Sequence, residues 1–224
     1  MKCNLCGPAC LSAVGLLAVA GMFAMGQPAK DSKPAAPAHP AAPAGQPEMK
    51  LPPGWTAEDM QACMAAGMPG EQHKELAKGV GTWSGKNTMW MAPGAEPTTS
   101  NCTSTVTMIM DGRYNKCEMK GEIPGMGEFH GEGIVGYDNV SHKYVGTWYD
   151  SMSTGIMNGT GERSKDGKVM TWSYKFNCPL TKKEATMRQV ETLTGANTMK
   201  LEMYMADPKT GKEYKNMVIE LTRK

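Results

Sequence analysis

The sequence predicts an all-β fold: a closed antiparallel up-and-down barrel of about ten strands, preceded by one or two short helices. Two observations carry most of that prediction. Turn signals recur about every 10–12 residues from position 80 onward, at Pro93-Gly94, Asp111-Gly112, Pro124-Gly125, Asp138-Asn139, Asp150-Ser151, Asp166-Gly167, Pro179, Gly195-Ala196-Asn197 and Asp207-Pro208. The runs between them are rich in Thr, Val, Ile, Tyr, Trp and Met, the residue types that fit a half-buried pleated surface. A third observation is the division of glycine and proline: residues 55–224 hold 20 of the 26 Gly but only 6 of the 15 Pro.

Three compositions follow one another along the 224 residues. Residues 1–26 carry one charge, Lys2, and an apolar run from Leu11 to Met25. That run has the length of a signal-peptide core and is short of the roughly 20 residues of a membrane span. Ala24 and Gly26 are small residues placed for cleavage before Gln27, with Ala18-Val19-Ala20 a second candidate. The expectation is export to the periplasm or outside the cell; the alternative is an uncleaved N-terminal membrane anchor. No Cys follows the run, so no lipid anchor is indicated. Residues 27–54 hold 8 of the 15 Pro and few apolar side chains, which predicts a disordered, semi-rigid tether. Residues 55–224 are long enough to bury a substantial core.

The folded part opens with a helix. Thr56 is placed to cap it, Glu58 and Asp59 lie at the positive end of its dipole, and Trp55 and Met60 occupy the positions of a hydrophobic staple. Met60, Cys63, Met64 and Met68 fall on one face, and Gly67 with Pro69-Gly70 ends it. A second short helix is expected from Glu71 to Lys78, with His73, Leu76 and Val80 on one side and Gly79 and Gly81 as stops. Residues 55–79 are thus expected to form a helical segment packing on the barrel, 80–224.

Strands are expected at about 80–91, 101–110, 113–121, 128–137, 143–150, 153–163, 168–178, 184–194, 198–206 and 213–223. Met170, Trp172, Tyr174, Phe176 and Cys178 share one face of a strand. Met199, Leu201, Met203 and Met205 oppose Lys200 and Glu202, and Met217, Ile219 and Leu221 oppose Lys215 and Glu220. One-sided strands joined by tight turns favour an antiparallel meander, and closure removes the edges that such a sheet would otherwise leave open. If Asp111-Gly112 is a two-residue hairpin turn, Cys117 faces Val106 and Cys102 faces Gly121.

Several stretches carry a resemblance. They are Gly81-Thr82-Trp83-Ser84-Gly85, Met89-Trp90-Met91-Ala92-Pro93-Gly94, Met110-Asp111-Gly112-Arg113-Tyr114, Gly121-Glu122-Ile123-Pro124-Gly125-Met126-Gly127, Gly136-Tyr137-Asp138-Asn139 and Asp207-Pro208-Lys209-Thr210-Gly211-Lys212-Glu213-Tyr214. Over about residues 71–224 the chain resembles a bacterial family of exported proteins labelled domain of unknown function 1579, placed near the lipocalin-like (calycin) barrels. The resemblance implies a lipocalin-like barrel with an unassigned function and transfers no catalytic residue. The Gly-Thr-Trp of the first strand also looks like the glycine-x-tryptophan that opens lipocalin barrels, which implies that Trp83 plugs the closed end. Some barrels of the wider calycin group bind haem through a histidine near the carboxyl terminus; the last strand here has none.

Composition excludes much. A net charge of +2 argues against a nucleic-acid partner, and a mean hydropathy of −0.43 against a polytopic membrane protein. No nucleophile elbow, phosphate loop or dinucleotide fingerprint is present. Gly155-Ile156-Met157-Asn158-Gly159-Thr160-Gly161-Glu162 is glycine-rich inside a strand pattern, which reads as bulges and bends. Four cysteines follow the leader. Cys102 and Cys178 fall at the same barrel end, so a Cys102–Cys178 disulfide is one expectation and buried free thiols the other. His130 lies beside Glu128 and Glu132 and is the best acid–base or metal candidate among four scattered histidines. Glu118, Glu122, Glu128, Glu132, Glu191 and Glu202 could supply a carboxylate pair in space.

The 21 Met outnumber the 15 aromatic residues. Met89-Trp90-Met91, Met108-Ile109-Met110 and Met203-Tyr204-Met205 place thioethers two apart, on one strand face, where a soft metal such as copper could be held. His130, Met89 and Met91 are the weak metal candidates; the simpler reading is that methionine replaces Leu and Phe as core filler. The reading the sequence favours is an exported, non-enzymatic barrel that binds a small, mostly apolar molecule, lined by Val106, Met108, Met110, Trp172, Tyr174, Met203 and Met205. The alternatives are copper binding through Met and Cys, an enzyme with a polar cluster inside or at the mouth of the barrel, and a structural or stress-linked envelope protein whose barrel is solid. No cofactor is expected.

Overall fold

The computed structural model describes residues 51–224. The expected leader, 1–26, and all but the last four residues of the expected tether, 27–54, lie outside the described residues. Among the described residues the chain divides into two units, with the boundary in sequence between Met68 and Pro69. The first described element is α1 (Ala57–Ala66). Its start is the one the sequence promised. The Asp59 N–H donates to Thr56 Oγ1 at 3.2 Å and the Thr56 N–H donates to Asp59 Oδ2 at 2.8 Å, a reciprocal capping box that occupies two otherwise orphaned donors. None of its residues is buried, and Met64 and Met68 on the expected apolar face are each 61% exposed.

The second unit begins with α2 (Glu71–Ala77) and continues through ten strands. They are β1 (Gly81–Met89), β2 (Thr98–Ile109), β3 (Tyr114–Ile123), β4 (Gly127–Asp138), β5 (Lys143–Asp150), β6 (Met157–Arg163), β7 (Val169–Cys178), β8 (Lys183–Gly195), β9 (Thr198–Ala206) and β10 (Glu213–Arg223). Each pairs antiparallel with its neighbours in sequence, and β1 pairs with β10 from Trp83↔Arg223 to Met89↔Met217, which closes the barrel. Among the described residues no helix is long and apolar enough to cross a membrane.

The β2–β3 register is as expected, Cys117 opposite Val106 and Cys102 opposite Gly121. The turn itself is wider than two residues. Met110, Asp111 and Gly112 all take left-handed backbone, with φ of 51°, 54° and 82°. That breaks the two-residue period after Ile109 and turns Met110 outward, where it is 67% exposed. Met110, expected to line the interior, therefore does not.

The glycine-rich segment also departs from expectation. β6 starts at Met157, and Gly159 and Gly161 pair in regular register on both sides, opposite Gly146 and Tyr144 in β5 and Tyr174 and Trp172 in β7. They are not bulges. The register irregularities lie in β10, between Lys215 and Met217, and near the end of β8, between Leu193 and Gly195. What the glycines supply is space. A Cβ on Gly159 would stand 2.5 Å from Tyr174 Cδ1, one on Gly161 2.7 Å from Trp172 Cε3, and one on Gly146 2.8 Å from the Tyr174 hydroxyl. On β4, Gly131 and Gly133 lie under Trp148 in the same way. Each ring therefore lies flat along the wall, over the bare backbone of neighbouring strands. Trp172 and Tyr174 stack, with centroids 5.5 Å apart and planes at 28°.

The remaining inner wall is different. β8, β9 and β10 present Met187, Met199, Leu201, Met203, Met217, Ile219 and Leu221, all buried. α2 seals the end where β1 begins. Leu76 is fully buried, the Asn115 amide donates to the Leu76 carbonyl at 3.5 Å, and the Trp83 indole donates to the Gly79 carbonyl at 3.2 Å. Arg223 stacks over Trp83 at 4.3 Å and donates to the Lys78 carbonyl at 2.7 Å and to the Val80 carbonyl. Arg163 on β6 reaches Glu75 of α2 at 3.3 Å. Trp83 is thus the plug of the closed end.

Candidate functional site

Inside the barrel, one stretch of β8 breaks the apolar pattern. Gln189 and Glu191 are in phase with Met187 and face inward. The Gln189 amide donates to Glu191 Oε1 at 2.7 Å. Burial pushes the Glu191 carboxyl up to about 7, against which the Gln189 donor, the Trp172 indole and the positive charge of Arg163 act only weakly. The indole lies near enough to favour the carboxylate but makes no well-formed hydrogen bond to it. Tyr174, on β7, is buried completely, and its hydroxyl is raised first by burial and then by Glu191. Across the lumen on β3, the Cys117 thiol is pushed up to about 12 by burial, with a smaller contribution from Glu191, and lies 3.2 Å from Ser104 Oγ.

Several polar atoms of this interior have no partner. Asn87 Oδ1 on β1, Asn115 Oδ1 on β3, Tyr174 OH and Trp172 Nε1 on β7, Gln189 Oε1 on β8 and Asn216 Oδ1 on β10 are all buried without a hydrogen bond. Each such group costs about 1–3 kcal/mol against its hydrated state. Folded proteins pair nearly all buried polar groups with protein, water or ligand. These orphans come from β1, β3, β7, β8 and β10, and their number around the buried interior is the feature of the fold that calls for a function.

The residues singled out from sequence distribute as follows. Val106, Trp172, Tyr174, Met203 and Met205 face the interior and are buried; Met108 is half-buried against the core, and Met110 is outside it. Among the Met-x-Met pairs only Met203 and Met205 share the inner face. Met89 packs against the core while Met91 is exposed beyond the end of β1. His130 sits on the outer face of β4, with its Nε2 3.5 Å from Glu132 Oε1. Glu132 accepts from the Tyr149 hydroxyl at 2.7 Å and pairs with Lys116 at 3.1 Å, which together hold its carboxyl below the usual range. Lys116 also bridges to Glu118 at 2.7 Å. Of the candidate carboxylates, Glu118 and Glu132 are register partners that share Lys116 on the outer wall, and Glu122 and Glu128 are register partners nearer the end of the same two strands. Among the described residues no cluster of three or more His, Cys, Asp or Glu could hold a metal.

Cys63, Cys102, Cys117 and Cys178 are free thiols, so the expected Cys102–Cys178 disulfide does not form. Both lie at the same barrel end, but β2 and β7 stand five places apart in a ring of ten strands. A barrel of that size is on the order of 15–20 Å across, beyond any disulfide span.

Sequence reasoning passed over Asn87, Gln189 and the separate place of Glu191. The signal was present: Gln189 and Glu191 hold the same parity as Met187 and Leu193 in a strand whose other face carries Arg188 and Thr192. Two clefts lie on the surface of the barrel. One of about 590 Å³ lies beside α2 between Glu75, Tyr144 and Lys165, and one of about 450 Å³ runs over the outer faces of β6 to β8 past Thr160, Ser173 and Arg188.

The barrel has known counterparts. Rv2717c from M. tuberculosis shares 13% identity over 70% of this chain and 99% of that one, with a TM-score of 0.53. The S-type phycobiliprotein lyase CPES from Guillardia theta shares 10% identity over 72% of this chain and 96% of that one, with a TM-score of 0.47. The first likeness bears on fold alone, and the second is too distant to carry an argument. No curated protein matches the chain. The family model "Protein of unknown function (DUF1579)" matches residues 68–223, which span the sealing helix, the closed barrel and every orphaned polar atom just described. The chain belongs to that family.

Proposed function

We propose that the protein is a non-enzymatic binding barrel whose ligand lodges in the interior, between the aromatic-covered wall and the methionine wall. The supporting observation is the set of orphaned polar atoms on Asn87, Trp172, Tyr174, Gln189 and Asn216. They sharpen the ligand from mostly apolar to amphipathic: flat apolar surface to stack on Trp172 and Tyr174, and polar groups to satisfy the orphans. Tyr174, Met187, Gln189 and Met203 expose no surface, so entry requires side chains to move aside. Methionine, unbranched with three rotatable bonds, is the residue best able to do so. The apolar run Leu11–Met25 supports a site of action outside the cytoplasm.

Native mass spectrometry of the purified full-length protein tests the reading. We expect an adduct of small-molecule mass that is lost on denaturation, together with a rise in melting temperature on adding it back. An interior that holds neither adduct nor bound ligand in a screen of amphipathic compounds overturns it.

A second reading, Cu(I) binding, is favoured by register. Met89 pairs with Met217, Met217 with Met203, and Met205 with Met187, so five thioethers occupy adjacent strands. Titration with Cu(I) should then show stoichiometric uptake at micromolar protein; its absence removes copper and leaves the first reading standing.

A further inference from the structure

Resting on the interior-ligand reading, we infer that the ligand is an organic cation, an amphipathic ammonium or guanidinium compound, and that Glu191 is its anchor. Among the polar groups of the interior acceptors prevail, the Trp172 indole N–H and the Tyr174 hydroxyl being the orphans able to donate. Glu191 supplies a carboxyl group, and Asn87, Asn115, Gln189 and Asn216 supply amide oxygens with no donor. Trp172 and Tyr174 present stacked π-faces on the strand next to Glu191, whose register partner on β7 is Met170. The methionine thioethers of β8 to β10 add weak acceptors. A cation is attracted by each of these acceptors and π-faces, and an anion by none of them.

The positive charge within the fold is already engaged. Arg163 points from β6 toward the sealed end, ion-paired with Glu75 at 3.3 Å and standing over the Tyr144 ring at 5.2 Å. It biases Glu191 from a distance. The other titratable groups that bear on Glu191 are Tyr174 on β7 and Cys117 on β3, both held neutral by burial, while its register partner on β9 is Leu201. Below about pH 7 a buried carboxyl in these surroundings holds its proton, and an arriving cation displaces it. Binding then exchanges charge for charge: the Glu191 O–H bond breaks, the carboxylate pairs with the incoming ammonium, and the proton leaves to solvent.

Calorimetry on the full-length protein with phenethylamine, its neutral analogue phenethyl alcohol and its anionic analogue phenylacetate tests this. We expect the amine to bind tightest and to release about one proton per site at pH 6, read from the buffer dependence of the heat. Its affinity should fall about tenfold per pH unit below about 7 and level off above it. Glu191→Gln should weaken the amine about 10- to 100-fold at pH 8 while leaving the alcohol unchanged. Equal binding of amine and alcohol, or an unaltered amine affinity in Glu191→Gln, overturns the cation assignment and leaves the interior site intact. Failure of all three probes at millimolar concentration overturns both.

Discussion

From β4 to β7 the inner wall is glycine overlaid by aromatic rings, whereas from β8 to β10 it is methionine, leucine and isoleucine. The first arrangement has little freedom. A ring seated on bare backbone touches main-chain atoms that cannot move aside, and the Trp148 indole is further tied to Asp150 Oδ2 at 2.9 Å. The second is adjustable, because methionine repacks through three torsions. A barrel built this way keeps one wall as a template and lets the other move. On the proposed reading the aromatic surface would set which flat molecule fits, and the methionine wall would make room for it.

The comparison can be broken most severely at Trp148. Trp148→Ala should cost about 3–5 kcal/mol in urea unfolding. Gly131→Ala, which drives a methyl group into the same indole, should cost about 3 kcal/mol on its own and much less in the Trp148→Ala background. Additive costs in that cycle would mean that the ring does not depend on the bare glycine.

The next effect is on the methionine side and has a pH sign. The folded protein holds the Glu191 proton more tightly than the unfolded chain does. Its destabilising cost is therefore absent below the ordinary carboxylate value of 4.5, grows as pH rises, and levels off above about 7. Glu191→Gln should accordingly raise stability by up to about 3 kcal/mol at pH 8 and by little at pH 4. A stability gain that does not vary with pH would assign the cost to packing instead.

A milder contrast is Met203→Leu, a volume-conserving change on the adaptable wall, for which less than about 1.5 kcal/mol is expected. It should weaken ligand binding more than it weakens the fold; a loss as large as that of Gly131→Ala would show that the two walls are equally rigid. The smallest effect belongs to Met110→Ser in the exposed β2–β3 turn, within about 0.5 kcal/mol and without influence on binding. Any larger change in binding would return Met110 to the site.

Much of the architecture was legible because it is written in periods of two. The alternation of Met199, Leu201 and Met203 against Lys200 and Glu202 names both the strand and its buried face, and the turn at Asp111-Gly112 set the register of Cys117 against Val106. Legibility failed where alternation stops or where a residue type is ambiguous. Met110 follows the pattern of Met108 in sequence, but left-handed backbone begins at that residue. The glycines of β6 read as bends because glycine in a strand signals either a bend or a close approach, and the partner that approaches comes from another strand.

The sequence by itself determined the strand count, most of the inward alternation and the place of the short helix before β1, since each rests on local chemistry: turn residues, glycine stops and alternating polarity. Tertiary structure decided what those residues meet. Closure of β1 on β10 placed Cys102 and Cys178 on opposite walls, the pairing of β5, β6 and β7 laid Tyr174 over Gly159 and Gly146, and the closed ring enclosed Glu191 with Trp172 and Tyr174 of β7 and Cys117 of β3. The physical reason is that a strand's alternation says only which side faces in, whereas distance across a lumen depends on the number, tilt and stagger of all ten strands together.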